Sequence, residues 1–596
     1  MATENPAPQT TQAAAFGLEP NAGTDATPLL AHALEALSDG ATLRLAPGDY
    51  HFWPERARRR FYHLCNNQAG FKPIACPLLE RENLTLEGNG ARFIFHGEIL
   101  PFAIDGGANI TIRDLTLDWH RPFFSQGEII AGDRESVDIR LDPERYPHEI
   151  VDGALIFTGE GWRHGFTEGI FEMDTRLRRP AYLSGDNLAG HFAREGNARS
   201  LGDGKIRLSG RFGRAAAPGN ALVLRHYRRH FPAVFLKDTR DARLENIRVR
   251  HAGGSAILGQ FCDNITVANC EVRPDADSDR LFSATADAAH FVNCTGCVTL
   301  DACAFARQLD DAANIHGIHY RVEETLDRKS AMLALGHFEQ RGAPVGSPGD
   351  EVVFRDADTL LERDRDRIAG IEEVDEWRRR VRFEKPLADG AGTAVVENLT
   401  RTPEIRITGG DFRDNRARGL LLSSPRPTLV RANRIAPAGA AIKISGDANY
   451  WFEAGAVRDV RVEANTFGPC CYGPPEWGRC PIDIDPEIDN PWAAEGRMHE
   501  GIRITGNTFR VFDAGVLYAR SASRVLFRDN RIEPSDAYPP TGRTDARLTF
   551  DACDVPATDG NQVENGTPSI EFNDRPNDRH KVRPQAHLDD PSAGAA

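Results

Sequence analysis

The side chains best placed to do chemistry are three aspartates separated by a suggestive interval. Asp287 precedes Asp310 by 23 residues and Asp311 by 24. In a chain with 87 acidic residues, acids alone carry no signal. The interval does, because a chain that winds with that step would stack all three carboxylates on one face, neighbouring coils lying about 4.8 Å apart. Glycoside hydrolysis uses such groups: about 6.5–9.5 Å separates acid and base in inverting enzymes, and about 5–5.5 Å in retaining ones. The stack reaches both ranges, so spacing leaves the stereochemistry open. Crowded like charges also raise one pKa, which keeps a carboxylic acid protonated near neutrality. Successive strand residues point to opposite faces, so Asp310 and Asp311 are expected at a turn or bulge. Asn314 and His316 alternate with Ile315 and could share their groove. His290, Cys294, Cys297 and Cys303 are close enough in sequence to suggest a metal, but Cys270 and Cys303 occupy one inward repeat position, where Cys packs as a small apolar group. No metal and no cofactor are expected.

A repeat supplies the winding. The pattern apolar, two variable, a usually small or amide residue, one variable, apolar recurs as LENIRV from Leu244, VANCEV from Val267, LDACAF from Leu300, ITGGDF from Ile407, VRANRI from Val430, VEANTF from Val462, ITGNTF from Ile504 and FRDNRI from Phe527. Its fourth position steps by 23 residues from Ile247 to Cys270, from Gly410 to Asn433 and from Asn507 to Asn530. Apolar alternation such as Ile502-Arg503-Ile504 marks strands. Coils of short strands bury their inner faces only by stacking. The expected fold is all-β, a right-handed parallel β-helix. Asn433, Asn465, Asn507 and Asn530 should form a turn ladder along its axis.

At the N-terminal end, Thr27-Pro28 starts a helix, Leu30, Leu34 and Leu37 give it one apolar face, and Gly40 ends it. A helix there caps the first coil and blunts an exposed sheet edge. Two strand-rich interruptions read as small β-barrels. The division expected is a cap and first coils at 24–124, a β-barrel insertion at 125–237, coils carrying the acids at 238–319, a second β-barrel at 320–398, further coils at 399–545, and a partly disordered tail at 546–596. The formal charge is −15 and basic runs such as Arg58 to Arg60 are short, which argues against a nucleic-acid or anionic-membrane partner. No apolar run is long enough for a membrane-spanning helix. The N-terminus lacks the basic and apolar segments of a secretory signal, and eleven cysteines do not form a disulfide framework. A cytoplasmic location is expected, export through a processed signal being the alternative.

Several segments together resemble glycoside hydrolase family 110: Asp118-Trp119 with Pro122 and Gln126-Gly127, the run from Ala286 through LDDAANIHG, HFEQRG from His337, PGD from Pro348, and NYWFEAG from Asn449. The resemblance spans about residues 24 to 535, and Arg341 and Ala343 depart from it. It implies an exo-acting, inverting, metal-independent α-1,3-galactosidase built as a β-helix with inserted barrels. Asp310 and Asp311 match the family's active-site pair and Asp287 its coil neighbour, one of them acting as general base on water. Glu339 and Glu453 are the candidates for proton donor. Trp119 is expected to stack on galactose, with Gln126, Asn314 and His316 bonding its hydroxyls. The partner is then a carbohydrate with terminal α-galactosides, and self-association as a homodimer is possible. A polygalacturonase-like hydrolase or lyase would need a basic groove, yet no Arg or Lys falls between Ala286 and Cys303. A non-catalytic carbohydrate-binding solenoid would tolerate loss of the aspartates.

Overall fold

The structure is a computed structural model. It describes residues 10–573, apart from 166–168, 192–196, 494 and 565–567. The part of the expected disordered tail beyond residue 573 lies outside them.

The chain winds as a parallel β-helix. One inward file shows why the sequence folds this way: Leu43, Leu86, Ile112, Leu244, Val267, Leu300, Ile407, Val430, Val462, Ile504 and Phe527 occupy matching positions on successive coils. All are buried in one continuous core. The jumps from residue 112 to 244 and from 300 to 407 are where the insertions leave the solenoid, and the register closes across each as if nothing intervened.

At the turn of later coils the asparagines form a ladder. Asn465 Oδ1 accepts from Asn433 N and Nδ2, both at 2.9 Å, and Asn465 N donates to Asn507 Oδ1 at 2.8 Å. Asn507 N continues to Asn530 Oδ1, and Asn530 N to Asn561 Oδ1. Asn561 extends the ladder past the repeats visible in the sequence. Coils persist there: Leu548–Asp551 pairs with Leu517–Arg520, and Ile570–Asn573 pairs with Leu548–Asp551. The boundary expected at residue 545 is therefore too early. The last coils were hidden because polar turns dilute their apolar alternation.

The capping helix runs Thr27–Ala36 and buries Leu30, Ala33 and Leu34. It ends before Gly40, because Leu37 turns extended. Arg81 donates to the carbonyls of Leu34 and Leu37, both at 2.5 Å, which satisfies orphan acceptors at the helix end. A strand at Thr10–Gln12 precedes it and pairs in parallel with Thr42–Arg44.

Within residues 125–225 an antiparallel seven-stranded sheet is joined by a three-stranded one. The second insertion closes on itself. Ala313–Asp327 pairs with Ser330–Leu335, which pairs with Arg378–Phe383; the circuit continues through Glu362–Glu373, Glu351–Asp356 and Ala394–Asn398 back to the first strand. Ala313–Asp327 is thus shared, its first residues a rung of the β-helix and its remainder a barrel stave. No helix among the described residues is long and apolar enough to cross a membrane.

Candidate active site

Stacked loops build the site. Asp287 lies in the bend before the strand Ala289–Val292, and Asp310 and Asp311 in the bend before Ala313–Asp327. Ala289 pairs with Ala313, and Ala313 with Leu420. The same register stacks Asp287, Asp311 and Arg418 on consecutive coils. The bend releases Asp310 and Asp311 from strand alternation, and oxygens of all three aspartates lie within 4.8 Å of one another. One step further, His290, Asn314, Leu421 and Lys443 form an outward file. A loop returning from later coils brings Glu453, whose short strand runs antiparallel to Gly317 and Ile318.

These groups line one concavity with about 630 Å³ of atom-free space, open solvent at its mouth included. Asn66, Arg229, Asp447, Trp451 and Glu487 complete its wall. Asp447 organises the returning loop: its carboxylate accepts the backbone N–H groups of Asn449, Tyr450, Trp451 and Phe452. Trp451 lies against His337, ring centroids 4.5 Å apart.

Arginines balance the acids. Asp310 accepts from Arg229 and, at 3.1 Å, from Arg416; burial resists its ionisation, but Arg416, Arg229 and Arg418 outweigh burial and hold it below the usual carboxylate range. Arg418 grips Asp311 with Nε at 2.9 Å and Nη2 at 2.8 Å, and adds its backbone N–H. Burial nonetheless pushes Asp311 up to about 6, the charges of Asp310 and Asp287 adding to burial against Arg418. Burial likewise pushes Glu453 up to about 7, opposed by His290 and Arg418 and reinforced by Asp311 and Asp287.

A histidine relay lies beneath. His316 Nδ1 donates to the Gly317 carbonyl at 2.6 Å, and burial holds the ring's pKa near about 3, so it is neutral and its Nε2 is an acceptor. His290 Nε2, 2.9 Å away, must then donate, and its Nδ1 donates to Asp287 at 2.7 Å. His290 is therefore the doubly protonated partner: burial opposes its charge, but the Asp287 carboxylate overcomes burial and raises its pKa. Asp287 Oδ1 accepts the Asp311 backbone N–H at 3.0 Å, tying the relay to the bend.

Asp287, Asp310, Asp311, Asn314 and Glu453 converge on the concavity. Asn314 Nδ2 donates to Glu453 at 3.2 Å. His316 stands one layer behind, 3.4 Å from Glu453, where it orients His290 instead of facing a hydroxyl. Trp119 is corrected: it is 1% exposed, donates Nε1 to the Gly97 carbonyl and packs on Phe95 and Phe123, so it offers no face to a sugar. Gln126 is corrected as well, since its amide bridges the Asp279 carbonyl and the Leu281 N–H. Glu339, in the short helix Phe338–Gln340, is not on the wall; its carbonyl accepts Asn66 N–H at 2.9 Å, and Asn66 Nδ2 reaches Glu453 at 3.2 Å. Sequence reasoning missed Asn66, Arg229, Arg416 and Arg418, which carry no repeat signature. Trp451 did carry a signal, in NYWFEAG.

The family model described as GLAA-B beta-barrel domain I matches residues 125–222. Alpha-1,3-galactosidase A of Shewanella woodyi is 34% identical over 88% of this chain and 86% of its own length. Alpha-1,3-galactosidase B of Bacteroides thetaiotaomicron is 34% identical over 92% and 90%. Two solved structures are similar. The mannuronan C-5 epimerase AlgE6 A-module of Azotobacter vinelandii has a TM-score of 0.39 at 10% identity, covering 94% of this chain and 98% of that one. The family 28 exopolygalacturonase of Yersinia enterocolitica has a TM-score of 0.37 at 11% identity, covering 94% and 79%.

Proposed function

Because the chain belongs to the α-1,3-galactosidase A and B family, we propose that this glycoside hydrolase removes terminal α-1,3-linked galactose with inversion, Glu453 giving a proton to the leaving oxygen and Asp311 taking one from water. The observation that carries the assignment is the convergence on one cavity of Glu453, held by the amides of Asn66 and Asn314, and Asp311, gripped by Arg418, burial raising both carboxyls toward the range where one can hold a proton that the other has lost. Asp310, kept ionised by its arginines, accepts a hydrogen bond from the attacking water and orients it. Asp287 and His290 hold the Asp311 bend in place. Trp451 supplies the apolar platform once given to Trp119. Asn314 lines the cavity and its amide holds Glu453.

A uronate substrate fits the cavity poorly. Arg229 and Arg418 already pair with Asp310 and Asp311, and Lys443 lies 3.6 Å from Asp483. A second anion would meet acids, not spare cations.

The donor assignment is tested by comparing Glu453→Gln with Glu339→Gln on Gal-α-1,3-Gal and on an aryl α-galactoside whose leaving group needs no proton. Glu453→Gln should lose about 10²–10⁴-fold in kcat on the disaccharide and much less on the aryl substrate. If Glu339→Gln shows that split and Glu453→Gln does not, the donor is Glu339.

A further inference from the structure

Away from the cavity, the first insertion touches the N-terminal coils through a cluster that glycoside hydrolysis does not use. The hairpin of Ala154–Gly159 and Trp162–His164 carries Glu160 at its tip. That tip rests on Gly97, where an added Cβ would come within 2.7 Å of the Glu160 carbonyl oxygen. His96 and His120 follow Phe95 and Trp119, which pair in register, so the two imidazoles stand on successive coils. Their rings stack with centroids 5.1 Å apart, and Trp53, from the coil before, stacks on His96 at 3.9 Å.

We propose that His96, His120 and Glu160 form a divalent transition-metal site, of the kind zinc occupies, that clips the first insertion to the solenoid. Two imidazoles and a carboxylate are a recurrent donor set for such ions. Glu160 Oε1 lies 2.9 Å from His96 Nδ1 and 3.3 Å from His120 Nδ1, and one donor atom of each residue lies within 4.8 Å of the others. Ligands about 2.0–2.1 Å from one ion are separated by about 2.9 Å at a right angle and about 3.3 Å at the tetrahedral angle. The remaining edge closes by rotation of His120, whose side chain is 63% exposed. The second shell is in place: His51 Nδ1 lies 2.9 Å from His96 Nε2, so it can accept a hydrogen bond from Nε2–H, which fixes the proton there and leaves the Nδ1 lone pair to the metal. The exposed side of His120 is the entry path, and water would fill the open positions. None of the three residues lines the catalytic concavity, so the proposal stands or falls independently of the function proposed above.

The test uses the full chain, stripped with a chelator and dialysed, then titrated with Zn²⁺ by calorimetry and melted with and without the ion. The expected result is one tight equivalent and a raised Tm. His120→Ala and Glu160→Gln should each weaken that equivalent by more than about tenfold and abolish the Tm shift, with kcat/KM for galactoside unchanged. Glu453→Gln should keep it, which separates this site from the His290, His316 and Glu453 group. Absence of a tight equivalent, wild-type affinity in His120→Ala, or loss of the equivalent in Glu453→Gln would each overturn the proposal.

Discussion

Glu453 and Asp311 occupy one cavity yet hold protons differently, because their partners differ. Glu453 meets amides and a neutral histidine, whereas Asp311 meets a bidentate guanidinium. With the proposed roles, Glu453 as donor and Asp311 as base, turnover needs Glu453 protonated and Asp311 ionised. Activity should fall as pH rises through about 7, where Glu453 loses its proton, and as pH falls through about 6, where Asp311 gains one. A pH profile of kcat/KM should therefore be a narrow bell between those values, and Glu453→Gln should lose the alkaline limb. A flat profile across that range would contradict the assignment. The acids were legible in the sequence because their separation equals one coil, and a repeat converts sequence distance into position. The arginines were not, because Arg229 follows the last strand of an insertion and Arg418 sits in a bend, neither bound by the apolar period. Trp119 misled for a physical reason: an aromatic at a strand end has the same local sequence whether it faces core or groove, and only its register with Phe95 decides.

At the scale of the element, the strand Ala313–Asp327 makes the site one body, since a rung of the solenoid runs on as a stave of the barrel and Glu453 pairs alongside it. The asparagine ladder then fixes the coils that carry the returning loop. Each interior rung both accepts and donates through its side chain, so one substitution strands two partners on the coil before it. Asn465→Ala removes the acceptor for Asn433 N–H and the donor to the Val430 carbonyl at 2.9 Å. Each buried group left unpaired costs about 1–3 kcal/mol. Thermal unfolding should show a clearly lowered Tm, with kcat retained well below it. An unchanged Tm would mean the ladder is dispensable. The parallel coils and the ladder could be read from a fixed step and a fixed residue type. The second insertion could be read as a barrel from its strand-rich stretches, and it closes as one; which of its strands pair could not, because pairing inside it follows no repeat.

Across the whole molecule, the joint between the first insertion and the solenoid includes buried imidazoles: His251 accepts the Phe123 N–H and His226 meets Ser125. Burial holds His230 at about 4 and His251 at about 3, and lowers His226 well below the usual imidazole range. Folded, these rings stay neutral, while in the unfolded chain they take up protons below about 6.5. The unfolded state then binds more protons, so stability is full above that pH and falls as pH drops below it. Melting curves from pH 7.5 to 5 should show Tm falling with acid, the rings outweighing Glu453 and Asp311, whose raised carboxyls act with the opposite sign; a Tm constant over that span would mean that the rings do not outweigh them. Inversion requires that the solenoid wall set a proton donor and a water-activating carboxylate on opposite sides of a single galactose. Proton NMR during early turnover of Gal-α-1,3-Gal tests this most directly: β-galactose should appear first and mutarotate later, whereas α-galactose appearing first, or no free galactose at all, would contradict it.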